Sequence, residues 1–337
     1  SPIVDGEFSS ADIPQPAKET CRNWFYKTAC IRELVPRLYV EMALMKCYSF
    51  LEDGVFRRVV TRSSGIIRGI GDTLVAGWTR VYLSKVAAQL LPGQKAHLPT
   101  LMQDYLFTWQ QVLSNDGNDG EGDATVSAEH AKLLKSRGIT HAEYTRLHRP
   151  AFKWLSQEFG EQADKDDFKS TLKCYRDFCG DGVALKAILD GFDAQYWAKS
   201  AKGVMQLIKG ASVSDVTLTD LVGSLGRGLR VVPPPQDQRV SILNEVWKVV
   251  TKDDDLIKFA ACASTWIALT LEHYQEKHVQ TLLKDLVKHI RAAPEDGSID
   301  AIVGDLESIV DSITAHCGQS KTSFGGIITS SYFMQLL

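Results

Sequence analysis

Residues 18–51 read KETCRNWFYKTACIRELVPRLYVEMALMKCYSFL, and this stretch decides the fold. Seven of its side chains, most of them apolar, recur alternately four and three positions apart and so form one stripe along a helical surface. Pro36 lies within the stripe, has no amide hydrogen to donate, and disfavours the α conformation at Val35. The pattern therefore predicts two helices, or one kinked helix, packed through this stripe. The stripe consists of Trp24, Thr28, Ile31, Val35, Leu38, Met42 and Met45.

The residues that follow the proline combine side chains suited to a protein interface. Arg37 offers a planar fork of hydrogen-bond donors, Leu38 an aliphatic anchor and Tyr39 an amphipathic ring. Arginine and tyrosine are among the residue types that contribute most to interface energies. Leu38 also belongs to the stripe, which favours a core position for it, and Tyr39 fits an ordinary half-buried tyrosine. The spacing alone leaves packing and binding open.

The rest of the chain consists of helix-sized segments separated by residues that end helices. Asp72 and Thr73 are suited to cap a helix that runs to Leu91, and a further helix is predicted at residues 99–113. Glycine, proline and serine, which favour turns, are predicted to separate the helices. The predicted breaks are Ser63–Gly65, Gly69–Gly71, Pro92–Gly93, Gly138, Pro150, Gly160, Gly180–Gly182, Gly203, Gly210 and Val231–Gln236.

The last third of the chain has the clearest periodicity. Apolar residues recur at i, i+3, i+4 and i+7 in three successive segments, which begin near Leu256, Val279 and Ile299. Asp253–Asp255 precede the first segment and are predicted to cap it. Antiparallel helices of about 15–20 residues with short links stack in pairs of about 40 residues, the size of a HEAT-like unit. The sequence therefore predicts an all-α protein, and the pattern alone leaves a compact bundle open.

Three segments are distinguished along the chain. Residues 1–17 contain glycine, serine and proline with little periodicity and are predicted to form an extended, mobile leader, whereas residues 18–337 form the helical array. An acidic, glycine-rich segment at 114–126 interrupts the array. A calcium loop that starts at Asp116 would have glycine at its fifth position and Glu121 at its sixth, where an oxygen ligand and glycine are required. A flexible surface insertion is predicted instead.

Composition and charge restrict the classes of partner. The chain is 44% hydrophobic and 23% charged, as in ordinary globular proteins. No apolar run reaches the ~18–20 residues needed to cross a bilayer. Residues 18–95 contain 13 lysines and arginines against 6 acidic residues, which favours an acidic partner surface. The net charge of −3 and the lack of a recognised nucleic-acid module argue against nucleic acid as a partner.

Catalytic and metal-binding patterns are missing from the sequence. The seven cysteines are scattered without a CxxC pair, which indicates reduced thiols rather than a zinc site. His141 and His148 are spaced to share a helix face, but no HExxH or GxSxG motif accompanies them. We therefore expect no cofactor, no metal and no enzymatic activity. The tryptophans on apolar stripes, predicted to be core residues rather than ligand platforms, are Trp24, Trp78 and Trp266.

Several blocks resemble the family of large scaffold subunits of the retromer and Retriever complexes. Pro36–Tyr39, after an apolar helix, resembles the motif with which these subunits hold an arrestin-fold subunit. The wider match is closer to the Retriever branch of the family. The resemblance implies an elongated α-solenoid that serves as a non-enzymatic scaffold. The blocks that carry the wider match are residues 19–27, 31–41, 66–75, 239–252 and 282–290.

The resemblance also implies partners and a cellular role. A phosphoesterase-fold subunit would bind a C-terminal region that we expect to lie outside this chain, and coiled-coil Commander subunits and a sorting-nexin adaptor would bind elsewhere or indirectly. The protein would be cytoplasmic and peripheral to endosomes, with indirect membrane contact, and would support recycling of membrane proteins to the cell surface. Val40 stands where retromer proper commonly has leucine. The residues implied to bind the arrestin-fold subunit are Pro36, Arg37, Leu38, Tyr39 and Val40.

Two other functions remain open at this point. The retromer large subunit has the same architecture and acts in endosome-to-Golgi retrieval, although the blocks at 19–27 and 239–252 argue against it. A generic solenoid adaptor or transport receptor would bind peptide signals in a concave groove lined by asparagine, tryptophan or acidic side chains. One sequence does not reveal such a groove.

Overall fold

The computed structural model describes residues 9–114, 124–213, 216–293, 298–319 and 325–336. Within these ranges the regular structure is helical, and the only strand-like pairing is an isolated bridge between Asp181 and Ser212. The all-α prediction is therefore confirmed. The chain divides into two compact units, unit 1 from Ser1 to Cys179 and unit 2 from Gly180 to Leu337.

The helices described in unit 1 are α1 Gln15–Ala29, α2 Leu34–Ala43, α3 Phe56–Ile67, α4 Thr73–Leu90, α5 Leu98–Ser114, α6 Ala124–Arg137, α7 His141–Gly160 and α8 Lys165–Phe178. Helix α4 packs against both α2 and α7, and α5 packs against α4, α7 and α8. A 3-10 segment, Met45–Phe50, follows α2 and contacts α1, α2 and α3.

In unit 2, every second helix along the chain packs against the next one in its series. Helices α9, α11, α13 and α15 each contact the next in that series, while α10 contacts α12 and α14 contacts α16. Successive helix pairs thus stack on one another, which is the packing of a helical solenoid. The helices are α9 Gly182–Gly191, α10 Ala201–Gly210, α11 Leu218–Val231, α12 Gln236–Val250, α13 Leu256–His273, α14 Glu276–Ala292, α15 Ser298–Gln319 and α16 Gly325–Ile328.

The apolar stripe of residues 18–51 forms two helices, not one kinked helix. The break lies between α1 and α2, ahead of Pro36, which occupies the first turn of α2. Proline is tolerated there because the amide it lacks would have no partner within the helix. Leu38, Met42 and Met45 are buried as the stripe predicts. Trp24 is not, since 59% of it remains exposed, and the core prediction for this residue is wrong.

The structure differs from the predicted extended leader over residues 9–17. A 3-10 turn forms at Ser10–Asp12, and α1 begins at Gln15. The Ser10 amide and the Ser9 hydroxyl both donate to the Asp53 carboxylate, at 2.7 and 2.9 Å. These hydrogen bonds lower the pKa of Asp53. This segment is therefore held against the turn that precedes α3, and residues 1–8 of the predicted leader lie outside the described residues.

The helix caps predicted at Asp72 and Asp255 are confirmed. The Asp72 carboxylate accepts from the amides of Leu74 and Val75 at the start of α4. Asp255 accepts in the same way at the start of α13. Gly138 and Gly180 each adopt a φ of 65°, the left-handed conformation that favours glycine after a helix.

Three predicted breaks are wrong because tertiary packing outweighs local preference. Ser63 and Ser64 are buried inside a continuous α3, where the Ser64 hydroxyl donates to the Val60 carbonyl at 3.0 Å. Pro150 lies within α7 on its exposed side, so water can reach the carbonyl that loses a hydrogen bond there. Gly203 lies within α10, at a cost of about 1 kcal/mol relative to alanine.

The predicted acidic insertion falls mainly on residues 115–123, which lie outside the described residues. Its flanks are helical, because α5 includes Ser114 and α6 begins at Ala124. The insertion and the single array over residues 18–337 stay predictions. Among the helices that the structure describes, none has the length and apolar character needed to span a bilayer.

Candidate partner-binding surface

Helix α2 divides the five motif residues between the surface and the core. Pro36 and Val40, four residues apart and hence on one face, are exposed. Leu38 points the other way and is fully buried. Arg37 and Tyr39 are half-buried at the edges of the exposed face. The structure thus brings Pro36, Val40 and parts of two polar side chains to one surface, and it gives Leu38 a packing position.

Arg37 is held by a carboxylate that lies almost inside the core. Its Nε is 3.3 Å from Oε1 of Glu41, whose residue is only 7% exposed. Arg62 donates to the other carboxylate oxygen at 3.0 Å and to the Tyr48 hydroxyl at 3.2 Å. Two guanidinium groups therefore share one carboxylate, and the cluster has one positive charge in excess. Such a cluster suits an acidic or carbonyl-bearing partner.

Tyr39 is held by a second aromatic ring. It stacks on Tyr82 of α4, with ring centroids 5.1 Å apart and an interplanar angle of 20°. A stacked ring has lost its rotamer freedom before any partner arrives, which lowers the entropic cost of binding through it. Arg37 is thus preorganised by a residue one turn further along α2, and Tyr39 by a residue that lies far away in the sequence.

A groove between α1 and the 3-10 segment escaped the sequence analysis. It has a volume of about 610 Å³. Trp24 lies in its wall with the Lys27 ammonium 5.2 Å from the ring centroid. A signal was present, since the α1 residues recur with helical spacing and the others recur every three residues, the period of a 3-10 helix. The residues that line the groove are Ala17, Thr20, Cys21, Trp24, Phe25, Leu44, Cys47 and Phe50.

The histidines singled out in the sequence have packing roles. His148 is fully buried, and its Nδ1 lies 3.0 Å from the Tyr105 hydroxyl. Burial, together with the nearby Arg80 cation, lowers the pKa of His148 to about 3. His141 Nδ1 lies 3.3 Å from Nε2 of His130. Across the described parts of the chain, no three His, Cys, Asp or Glu side chains are grouped to hold a metal ion.

Stacked helix pairs, with a preorganised cationic and aromatic surface on the second helix, define a helical-repeat protein with a candidate docking surface. The family comparisons agree with this class. Residues 3–133 match the model of the VPS35L family, and residues 163–325 match the model of the VPS35L C-terminal domain. The chain belongs to the VPS35L family.

Curated relatives match over most of the chain. A Dictyostelium discoideum protein described as "VPS35 endosomal protein sorting factor-like" is 33% identical over 96% of this chain and 31% of its own length. The corresponding proteins of Danio rerio and Homo sapiens are 33% and 31% identical over 92% and 93% of this chain. The chain spans about a third of the length of these relatives, with 30% and 31% of the latter two covered.

Proposed function

We propose that this chain is part of a non-enzymatic scaffold subunit of an endosomal cargo-recycling complex of the Retriever type. Membership of the VPS35L family supports the proposal, as do relatives described as endosomal protein sorting factors. Stacked helices that carry separate surfaces suit a protein that holds several partners together. The complex would return membrane proteins from endosomes to the plasma membrane.

The N-terminal helices would dock an arrestin-fold subunit through Pro36, Arg37, Leu38, Tyr39 and Val40. The observation that carries this proposal is the fixed pair of Arg37, held by Glu41, and Tyr39, stacked on a ring of α4. Arg37 would donate paired hydrogen bonds to acidic or carbonyl oxygens of the partner. Tyr39 would bury the rest of its ring and keep its hydroxyl hydrogen-bonded. Leu38 would contribute by holding α2 in place.

Other partners would bind outside this surface. A phosphoesterase-fold subunit would contact a different region of the subunit from α2. Coiled-coil Commander subunits and a sorting-nexin adaptor would bind elsewhere or indirectly, and the adaptor would select the cargo. Membrane attachment on the cytoplasmic face of endosomes would be indirect, through these partners.

The retromer large subunit is the principal alternative for the partner of α2. Both matching family models are VPS35L models, which favours the Retriever branch. A generic peptide-binding adaptor is supported less well, because the groove beside α1 has a single tryptophan, Trp24, and otherwise apolar, cysteine and threonine side chains, rather than a row of asparagine, tryptophan or acidic residues.

Titration calorimetry with the Retriever-type and retromer-type arrestin-fold subunits tests the proposal. Arg37→Ala and Tyr39→Ala should each weaken binding of the Retriever-type subunit by ~2 kcal/mol or more, about thirtyfold. Arg58→Ala is a matched control, because Arg58 is also paired with a glutamate, Glu52, at 3.1 Å, but lies on α3 outside the motif. It should bind as the unmodified chain does.

Melting temperatures separate docking from packing. If Arg37→Ala and Tyr39→Ala melt several degrees lower and still bind when folded, the motif serves only the fold. Failure of the unmodified chain to bind either arrestin-fold subunit would remove the docking proposal. Tighter binding of the retromer-type subunit would reverse the choice between the two branches.

A further inference from the structure

The outward side of helix α4 has two exposed polar residues, Lys85 and Gln89, and beside them a row of half-buried apolar and aromatic residues. Its inner residues, such as Val81 and Leu83, are buried. An ordinary surface helix would have polar side chains on the opposite side. Four half-buried residues of α4 recur three and four positions apart and are apolar or aromatic. They are Val75, Trp78, Tyr82 and Val86.

Rings from the two neighbouring helices extend this surface into an aromatic band, defined as Tyr39, Tyr82, Trp78 and Trp154. Tyr39 of α2 stacks on Tyr82, and Trp154 of α7 meets Trp78 edge-on, with centroids 5.2 Å apart and an interplanar angle of 83°. Trp154 remains 46% exposed. Leu147, seven residues earlier on α7 and hence on the same face, is exposed to the same degree.

Two of the cations that flank the band are already paired within unit 1. Lys85 of α4 donates to Glu158 of α7 at 2.5 Å, and Arg37 is paired with Glu41 on the other side. Lys153, next to Trp154, is exposed. The band is thus an apolar strip with no uncompensated carboxylate among these flanking residues. It suits an apolar partner surface bordered by carbonyl or acidic groups.

The size of the motif shows why a docking partner needs this strip. Stable interfaces bury about 800 Å² on each partner. The motif offers only Pro36, Val40 and the exposed parts of two half-buried side chains, because Leu38 is fully buried. A partner that covers Tyr39 meets Tyr82 next, and then Trp78 and Trp154. The band therefore continues the docking surface across three helices.

We propose that the arrestin-fold subunit covers the aromatic band from α2 to α7, with Trp154 as a second binding anchor beyond the motif. This inference rests on the proposed function. Tryptophan is among the residues that contribute most when an interface buries them. The Trp154 ring is held against Trp78 before binding, so little side-chain freedom is lost when a partner covers its exposed half.

Calorimetry with the Retriever-type subunit tests the band separately from the motif. Trp154→Ala should weaken binding about tenfold or more, while Trp154→Phe should retain part of the affinity. Phe107→Ala is the matched control, since Phe107 is an aromatic residue 49% exposed that contacts another ring, Phe178, edge-on. Phe107 lies on α5 and not on α2, α4 or α7, so the Phe107→Ala variant should bind as the unmodified chain does.

A second variant keeps the test valid if Trp154→Ala lowers the stability of the fold. Leu147→Glu removes no buried contact of the band but places a charge at its edge, and it should also weaken binding about tenfold without lowering the melting temperature. If both α7 variants bind normally while Arg37→Ala weakens binding, the band is excluded and the docking proposal stands. If the unmodified chain does not bind, both fall. Self-association that Trp154→Ala abolishes would assign the band to a second copy of this chain instead.

Discussion

Trp24 and Trp266 occupy equivalent positions in the sequence pattern and opposite positions in the structure. Both lie on apolar stripes of helical period. Trp266 of α13 is completely buried and donates from its indole nitrogen to the Val222 carbonyl at 3.0 Å. Trp24 of α1 keeps more than half of its surface in solvent. A stripe identifies the face that a helix offers to its neighbours, and the neighbours decide whether that face is covered.

The neighbours differ in number and in closeness. Helix α13 contacts α11, α12, α14 and α15, whereas α1 packs mainly on α2 and the 3-10 segment. The approach of α11 to α13 is close enough that a Cβ at Gly226 would stand 2.7 Å from the indole nitrogen of Trp266. The α1 stripe instead borders an open groove. Covered stripes therefore stabilise the fold, and uncovered stripes are available to partners.

The largest expected effect is at Trp266, whose stripe is covered by neighbouring helices. Trp266→Ala should lower the free energy of unfolding by about 3–5 kcal/mol, because it removes a fully buried aromatic ring and its hydrogen bond to the Val222 carbonyl. Urea denaturation followed by circular dichroism measures the loss. A change below about 1 kcal/mol would show that the covered stripe does not stabilise unit 2.

The same comparison can be made within the motif itself. Leu38→Ala should cost about 2–5 kcal/mol of stability, because Leu38 is fully buried, whereas Val40→Ala should cost less than about 1 kcal/mol. Replacing the β-branched Val40 also gains helix propensity, but by less than about 0.7 kcal/mol, which is smaller than the expected difference between the two variants. Denaturation curves of both variants give the difference. Equal losses would contradict the division of α2 into a packing face and a docking face.

The buried side chain of His148 makes the stability of the fold depend on pH. The pKa of His148 is about 3 in the folded chain, and an unfolded histidine titrates near 6.5. Between these values the unfolded state binds a proton that the folded state does not, so stability falls as the pH falls from 6.5 towards 3, by at most about 1.4 kcal/mol per pH unit. Above 6.5 this contribution is fully present.

Denaturation at pH 7 and pH 5 checks the histidine. His148→Asn, which keeps a polar group near the Tyr105 hydroxyl, should lose about 2 kcal/mol less stability between the two pH values than the unmodified chain does. Unchanged pH dependence in the variant would mean that His148 is not the group that titrates. The interior of unit 1 would then be less closed than its burial indicates.

Local signals explain how much of the fold was predictable. Asp72 and Asp255 cap helices because a carboxylate can accept hydrogen bonds from the free amides beside it without contacts from distant residues. The periodicity of α13 is long enough to identify it as a helix and to show which of its faces is buried. Pro150 and Ser63 locally favour breaks, and the burial of a whole helix face that overrides this preference depends on residues distant in sequence.

The candidate surface was predictable only in part. The resemblance of Pro36–Tyr39 to a known motif pointed to α2 as a docking helix, which stays a prediction, and the stripe correctly assigned Leu38 to the core. The partners that hold the motif were not visible, because Tyr82 and Arg62 reach it through the packing of α3 and α4 on α2. The same holds for Trp154, which joins the surface only when α7 packs on α4.

The smallest expected effect is on the uncovered side. Trp24→Ala should change the free energy of unfolding by about 1 kcal/mol or less, because most of the ring is already in water and the contact with Lys27 is at the surface. Denaturation beside Trp266→Ala makes the contrast between two tryptophans that the sequence pattern does not distinguish. A loss as large as that of Trp266→Ala would mean that the groove beside α1 is closed in solution. The exposure of a stripe would then no longer tell whether the stripe stabilises the fold or is available to a partner.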